Sequence, residues 1–241
     1  MNIIELPEVD STNSWVSCHW DEFPKPSMIY AISQNQGRGQ RGNSWESESG
    51  KNLTVSVAFI PEGVEPRSQF VISEAVALAV TDLLKDNGID ALVKWPNDIY
   101  VSDKKICGIL IENSILGKGI TRTIAGIGLN INQKEFLSDA PNPISMTMIT
   151  GREYDIKEMA SSLAGKIEKR LENLNYSSLL SEEYRRKLWR GNGKYYRFYD
   201  KKAECPLQAR IHTIEDNGIL VLEIENGDKR SYAFKEVEFT L

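Results

Sequence analysis

Three scarcities bound this chain before any motif is read. Histidine is nearly missing, with only His19 and His212, and neither sits in a recognisable motif. Cysteine is sparse: Cys18, Cys107 and Cys205 lie far apart, without metal-ligand spacing. That disfavours a histidine- or cysteine-built metal centre, and an odd count without a secretory segment fits a reducing compartment. Long apolar runs are absent as well; none approaches the ~20 residues needed to cross a bilayer. The opening residues Met1-Asn2-Ile3-Ile4-Glu5-Leu6-Pro7-Glu8 are too short and too acidic for a signal sequence. Basic excess is also lacking. Lysine and arginine total 29 against 34 acidic residues, a net charge of −5, which argues against a general nucleic-acid binder. The expectation is a cytoplasmic protein without a membrane or DNA partner.

What remains is ordinary globular material, 241 residues with 41% hydrophobic and 26% charged side chains. That length holds one large domain, or a medium domain with a small appendage. Residues 28–33 and 53–60 read as strands flanking a Gly- and Arg-rich loop. Residues 68–87 turn helical, with Ile72, Ala75, Val76, Ala79 and Leu83 on one stripe and Asn87-Gly88 as the stop. Strands follow at 91–94, 99–101, 105–112 and 121–130, with Ser102-Asp103-Lys104 as a turn. Asp155 and Glu158 have capping-box spacing before a helix striped by Ile156, Met159, Leu163, Ile167 and Leu171; a further helix covers 179–188.

Gly191-Asn192-Gly193 marks the best boundary, so residues 1–190 and 191–241 are expected as two domains. Beyond it, 210–214, 218–224 and 230–234 alternate like short antiparallel strands, which suggests a small β-barrel. Residues 133–143 break the pattern and read as a mobile loop, a candidate lid carrying Phe136 and Leu137.

Chemistry gathers in four segments. Lys94-Trp95-Pro96-Asn97-Asp98 runs into a hairpin, and Lys105-Ile106-Cys107-Gly108-Ile109-Leu110-Ile111-Glu112 follows. Cations and polar side chains thus fall where buried strands end. Gly37-Arg38-Gly39-Gln40-Arg41-Gly42 has glycines that leave backbone N–H groups free to wrap an anion, and two arginines to match its charge. It lacks the Gly-Lys-Ser/Thr ending of a nucleotide-triphosphatase loop, and a solvated hairpin turn is the plain alternative. Ser11-Thr12-Asn13 offers hydroxyl and amide groups, or simply a helix cap. In Gly126-Ile127-Gly128-Leu129-Asn130, small residues at a strand end let a flat ligand lie against the backbone; a bulge is the alternative.

Together, and in this order, the four segments resemble the biotin protein ligases. These enzymes join biotin to a lysine of a carrier domain through biotinyl-5′-AMP. The resemblance covers nearly the whole chain. It implies an α/β fold, a mixed sheet backed by helices, with an SH3-like C-terminal barrel. It implies ATP and biotin as substrates, magnesium accompanying ATP, a biotin carboxyl carrier protein as acceptor, and a monomer–dimer equilibrium or homodimer. Some members carry a DNA-binding module first, but only ten residues precede Ser11, too few for one.

The resemblance also distributes roles. Lys105 would hold the biotin carboxylate and then the acyl phosphate, with Arg38 binding phosphate or covering the intermediate. Ser11, Thr12, Asn13 and Gln34 would read the ureido head. Gly37, Gly39, Gln40, Gly108, Gly126 and Gly128 would complete the biotin site. Arg41, Trp45, Lys94, Asn97, Asn130 and Phe136 would surround the nucleotide, Lys94 otherwise pairing with Asp98. Asp98 would orient or deprotonate the acceptor lysine. Gln40 departs from the arginine common at its position and removes a charge there. A lipoate or octanoate ligase or transferase on the related fold is the nearest rival. Its octanoyl-transfer form needs a catalytic cysteine, whereas Cys107 reads as packing.

Overall fold

The computed structural model describes residues 1–138 and 142–240, apart from the side chain of Arg41. Seven strands form the main sheet: β1 (Asn2–Val9), β2 (Ser27–Gln34), β3 (Leu53–Phe59), β4 (Leu92–Lys94), β5 (Asp98–Val101), β6 (Lys104–Leu116) and β7 (Gly119–Leu129). Their order is β1-β2-β3-β7-β6-β5-β4, with β1 parallel to β2 and every other neighbour antiparallel.

The interior strands are buried on both faces, as β3 shows with Leu53, Val55 and Val57 to one side and Thr54, Ser56 and Ala58 to the other. One face carries α2 (Phe70–Asp86), whose exposed surface is minimal because α4 (Ile156–Leu171) and α5 (Ser177–Arg186) cover it in turn. Its alanines at 75, 77 and 79 permit that double packing. On the opposite face α1 (Thr12–Cys18) sets Val16 against Ile29, Ala58 and Ile124, with Trp20 and Phe23 just beyond its end. The Asp155 carboxylate caps α4 by accepting the Glu158 N–H at 2.9 Å, which matches the spacing read in the sequence.

Several elements escaped the pattern reading, including the strands at 196–200 and 237–239. β1 alternates Ile4 and Leu6 inward, but Glu5, Pro7 and Glu8 obscure the period; Pro7 is tolerated because β1 is an edge strand. Helix α3 (Met146–Thr150) is a single turn, capped by Ser145, too short for a helical stripe.

The second sheet is antiparallel, ordered β11-β10-β9-β8-β12, from β8 (Tyr196–Asp200), β9 (Cys205–Ile214), β10 (Leu220–Ile224), β11 (Lys229–Tyr232) and β12 (Val237–Phe239). The Asp200 carboxylate, buried but held below its usual range by the bonds it accepts, takes the Tyr232 hydroxyl at 2.7 Å and the N–H groups of Lys202 and Ala203. The sheet docks on the first body through a turn. Gly218, at φ 86°, approaches Phe70 so closely that a Cβ would lie 2.6 Å from its ring, and its carbonyl accepts Trp95 Nε1 at 2.9 Å. No helix among the described residues is long and apolar enough to cross a membrane.

Candidate active site

A cavity of about 1080 Å³ opens over the ends of β3, β7, β6 and β5, and the second sheet closes one side of it. Its floor is made of missing side chains. The β6–β7 register sets Gly108 opposite Gly128 and Leu110 opposite Gly126. A Cβ on Gly128 would stand 2.3 Å from the Trp45 indole, and one on Gly126 only 2.4 Å from Asn13 Oδ1. The glycines therefore let two side chains from other segments lie flat on the sheet.

At one end sits a polar knot. Gln34 Oε1 accepts the Thr12 N–H at 2.9 Å and its hydroxyl at 3.3 Å. Ser56, buried in β3, can donate to Thr12 Oγ1 at 2.8 Å or to Asn13 Oδ1 at 2.5 Å. Asn13 Nδ2 donates to Glu112 Oε2 at 2.8 Å. Ser11 occupies the position before α1 but its side chain makes no capping bond, so the simple-cap reading of Ser11-Thr12-Asn13 fails. Ser56 and Glu112 had no assigned role in the sequence reading; both work through other side chains, and only their proximity in space shows it.

At the centre, Lys105 Nζ pairs with Asp98 Oδ1 at 2.7 Å and lies 5.6 Å from the centre of the Trp45 ring. Lys94 does not take Asp98. Its ammonium faces the rings of Tyr100 at 4.9 Å and Phe239 at 5.6 Å, and burial pulls its pKa down. Asn97 is tied to β6: Nδ2 donates to the Ile109 carbonyl at 2.8 Å and its own carbonyl accepts the Ile109 N–H. Its side chain keeps Oδ1 and the second Nδ2 hydrogen for a ligand. Among the described residues, two buried side-chain atoms have no hydrogen-bond partner, Trp45 Nε1 and Asn130 Oδ1, and both residues line the cavity. One is a donor, the other an acceptor.

The glycine-arginine loop forms a hairpin in which part of the backbone is already engaged. The N–H groups of Gly39, Asn43 and Trp45 are engaged within the hairpin, on Asn43, Gln40 and Gly37 carbonyls. Gly37 backs Trp45 rather than facing the main cavity, whereas Arg38, Gly39 and Gln40 line it. Arg38, half exposed, donates to Glu112 Oε1 at 2.9 Å. The side chain of Arg41 lies outside the described residues.

The stretch expected as a mobile loop starts firmly. Gln133 is buried, accepting the Glu48 N–H and donating to Glu46 and the Glu135 carbonyl. Glu46 also accepts the N–H groups of Leu137 and Ser138 at 2.8 and 2.7 Å, and these bonds hold its carboxyl low despite burial. Phe136 reaches the cavity while Leu137 is 91% exposed. Residues 139–141 lie outside the described residues. Cys107 is fully buried, and burial pushes its thiol up, so it serves packing as expected.

A sheet-end cavity with a glycine floor, a central ammonium–carboxylate pair and orphaned polar atoms suits a flat carboxylic acid held beside a second group. Residues 6–132 match the model of the biotin/lipoate A/B protein ligase family, and the chain belongs to that family. It is 31% identical over 168 residues to the bifunctional ligase/repressor BirA of Salmonella typhimurium, covering 69% of this chain and 51% of that protein. It is 30% identical over 166 residues to the biotin–[acetyl-CoA-carboxylase] ligase of Paracoccus denitrificans, covering 66% of this chain and 68% of that one. The chain thus spans about half the length of BirA. The fold superposes on a biotin protein ligase from Aquifex aeolicus in complex with biotin and ATP, with TM-score 0.82, 24% identity and 99% of each chain covered.

Proposed function

We propose that this protein is a biotin protein ligase: it activates biotin with ATP to biotinyl-5′-AMP and passes the biotinyl group to a lysine of a carrier domain, that of acetyl-CoA carboxylase. The observation that carries this reading is the Lys105–Asp98 pair, at the centre of a cavity that also holds the described residues' two unpartnered buried polar atoms. The names of the Paracoccus and Aquifex relatives support it.

Attack of a carboxylate on the α-phosphorus of ATP brings anions together, so fixed cations lower the barrier. The Lys105 ammonium is positioned for this, and an entering carboxylate would compete with Asp98 for it. Arg38 supplies a second cation at the mouth. In the transfer step the acceptor lysine must lose a proton before it attacks the anhydride carbonyl and expels AMP. Asp98, released from Lys105, would receive it. Among the described residues no group of three or more His, Cys, Asp or Glu could hold a metal. Magnesium arriving with ATP would therefore be held mainly by phosphate oxygens and water. The division at residue 190 assigns adenylation to the first body and leaves the second to frame the cavity mouth. The octanoyl-transfer rival needs a cysteine nucleophile, and among the described residues none lines the cavity, Cys107 being fully buried.

The test is ATP–pyrophosphate exchange, followed by intact mass of a purified carrier domain, with biotin, lipoate and octanoate in parallel. Biotin should drive both, and Lys105→Ala should slow exchange by about 100-fold or more. Labelling by lipoate or octanoate alone would move the protein to the neighbouring activity.

A further inference from the structure

Glu112 has no part in the chemistry above, yet it touches two groups that do. It stands on β6 two residues after Leu110 and four after Gly108, so its side chain shares their face. Its oxygens are divided: Oε2 accepts the Asn13 amide NH2 at 2.8 Å, and Oε1 accepts Arg38 Nη2 at 2.9 Å. An exposed arginine–glutamate pair alone would mean little. Here the same carboxylate also grips a buried amide, 3% exposed.

We propose that Glu112 is a positioning residue, which fixes the end of Asn13 that meets the acid and keeps Arg38 beside it. The proposal rests on the biotin-ligase reading. An amide can present either its carbonyl or its NH2 group, whereas an ionised carboxylate only accepts hydrogen bonds. Facing Glu112, Asn13 must turn its NH2 outward, where the Leu110 carbonyl also lies at 3.5 Å. Its Oδ1 is left over Gly126, beside the Ser56 hydroxyl at 2.5 Å. The reversed amide would set oxygen against oxygen.

The consequence is selectivity at one remove. An acceptor in that place suits a ring bearing N–H groups, which a ureido head has and a dithiolane or plain alkyl tail lacks. The other half of the carboxylate acts on charge. Arg38 is a long side chain, 49% exposed, that also donates to the Ser14 hydroxyl at 3.4 Å. Its guanidinium has donors enough to keep one arm on Glu112 while another meets a phosphate.

The two functions separate by substitution in the full-length protein. Glu112→Gln keeps an acceptor for Asn13 but removes the charge that holds Arg38. It should leave KM for biotin within about 3-fold and lower kcat for pyrophosphate exchange by about 10-fold, a fall that disappears in an Arg38→Ala background. Glu112→Ala loses both contacts and should also raise KM for biotin by about 10-fold. Equal KM values in the two variants, or a kcat loss undiminished without Arg38, would overturn the proposal. If Glu112→Ala does not fold by circular dichroism, Glu112→Gln with and without Arg38→Ala decides by kcat. Wild-type exchange with lipoate or octanoate but not biotin removes the reading of the site and this inference with it. Wild-type exchange with biotin, unaltered in every Glu112 variant, removes the inference alone.

Discussion

At the scale of single residues, the site is made as much by absent atoms as by present ones. Gly126 and Gly128 could be placed in the site from their neighbours in the chain, because a flat ligand on a strand end needs small residues. That their space is filled by Asn13 and Trp45 was not legible, since both come from distant segments. The same holds for Glu112, which is 99 positions from Asn13. Gly126→Ala puts a methyl 2.4 Å from Asn13 Oδ1, a buried atom with little room to retreat. Biotin affinity measured by calorimetry should fall by about 10-fold or more, corresponding to ~1.4 kcal/mol. Gly165→Ala is the control, inside α4 with nothing within 4 Å of the new methyl. It should leave affinity unchanged and add about 0.5–1 kcal/mol of stability. Equal affinities for the two variants would mean that the glycine floor does not shape the site.

Among elements, periodicity located α2, α4 and the strands from β2 to β7 because each carries an apolar stripe or an alternating run. It could not say what α2 packs against, and that is where a charge is hidden. Glu74 on α2 is 3% exposed under α5, where it accepts the Ser181 hydroxyl at 2.6 Å. Burial raises its carboxyl to about 7, with Asp216 adding to the rise and Ser181 and Arg185 opposing it. A raised carboxyl favours the folded state at low pH. Stability from this group is complete below the unfolded value near 4.5 and is lost as pH climbs through about 7. Glu74→Gln removes the ionisation. Urea unfolding should show the variant gaining on the wild type between those values, and more stable by about 3 kcal/mol at pH 8. Parallel curves across that range would show that Glu74 ionises normally.

For the molecule as a whole, the sequence placed a small β unit after residue 190, and the structure has one. The contacts between it and the rest were invisible, because Trp95, Phe234 and Gly218 meet only once both sheets are formed. Trp95, nearly buried, donates to the Gly218 carbonyl at 2.9 Å and meets Phe234 edge to face at 6.3 Å. Trp95→Phe keeps a ring but loses the donor, and should lower unfolding free energy by about 1–1.5 kcal/mol. The urea m-value should stay constant if the two sheets unfold together; a reduced m-value would reveal that they separate first.

The pairing of β6 with β7 sets a stricter standard than stability. Gly108 faces Gly128 in one alignment only, and sliding either strand by one residue turns Ile109 or Ile127 toward the floor. Such a chain would keep its strands and much of its hydrogen bonding, and far-UV circular dichroism would scarcely distinguish it. Regained turnover after refolding therefore counts the chains that closed this ladder in the right alignment, a fraction that bulk spectroscopy overestimates.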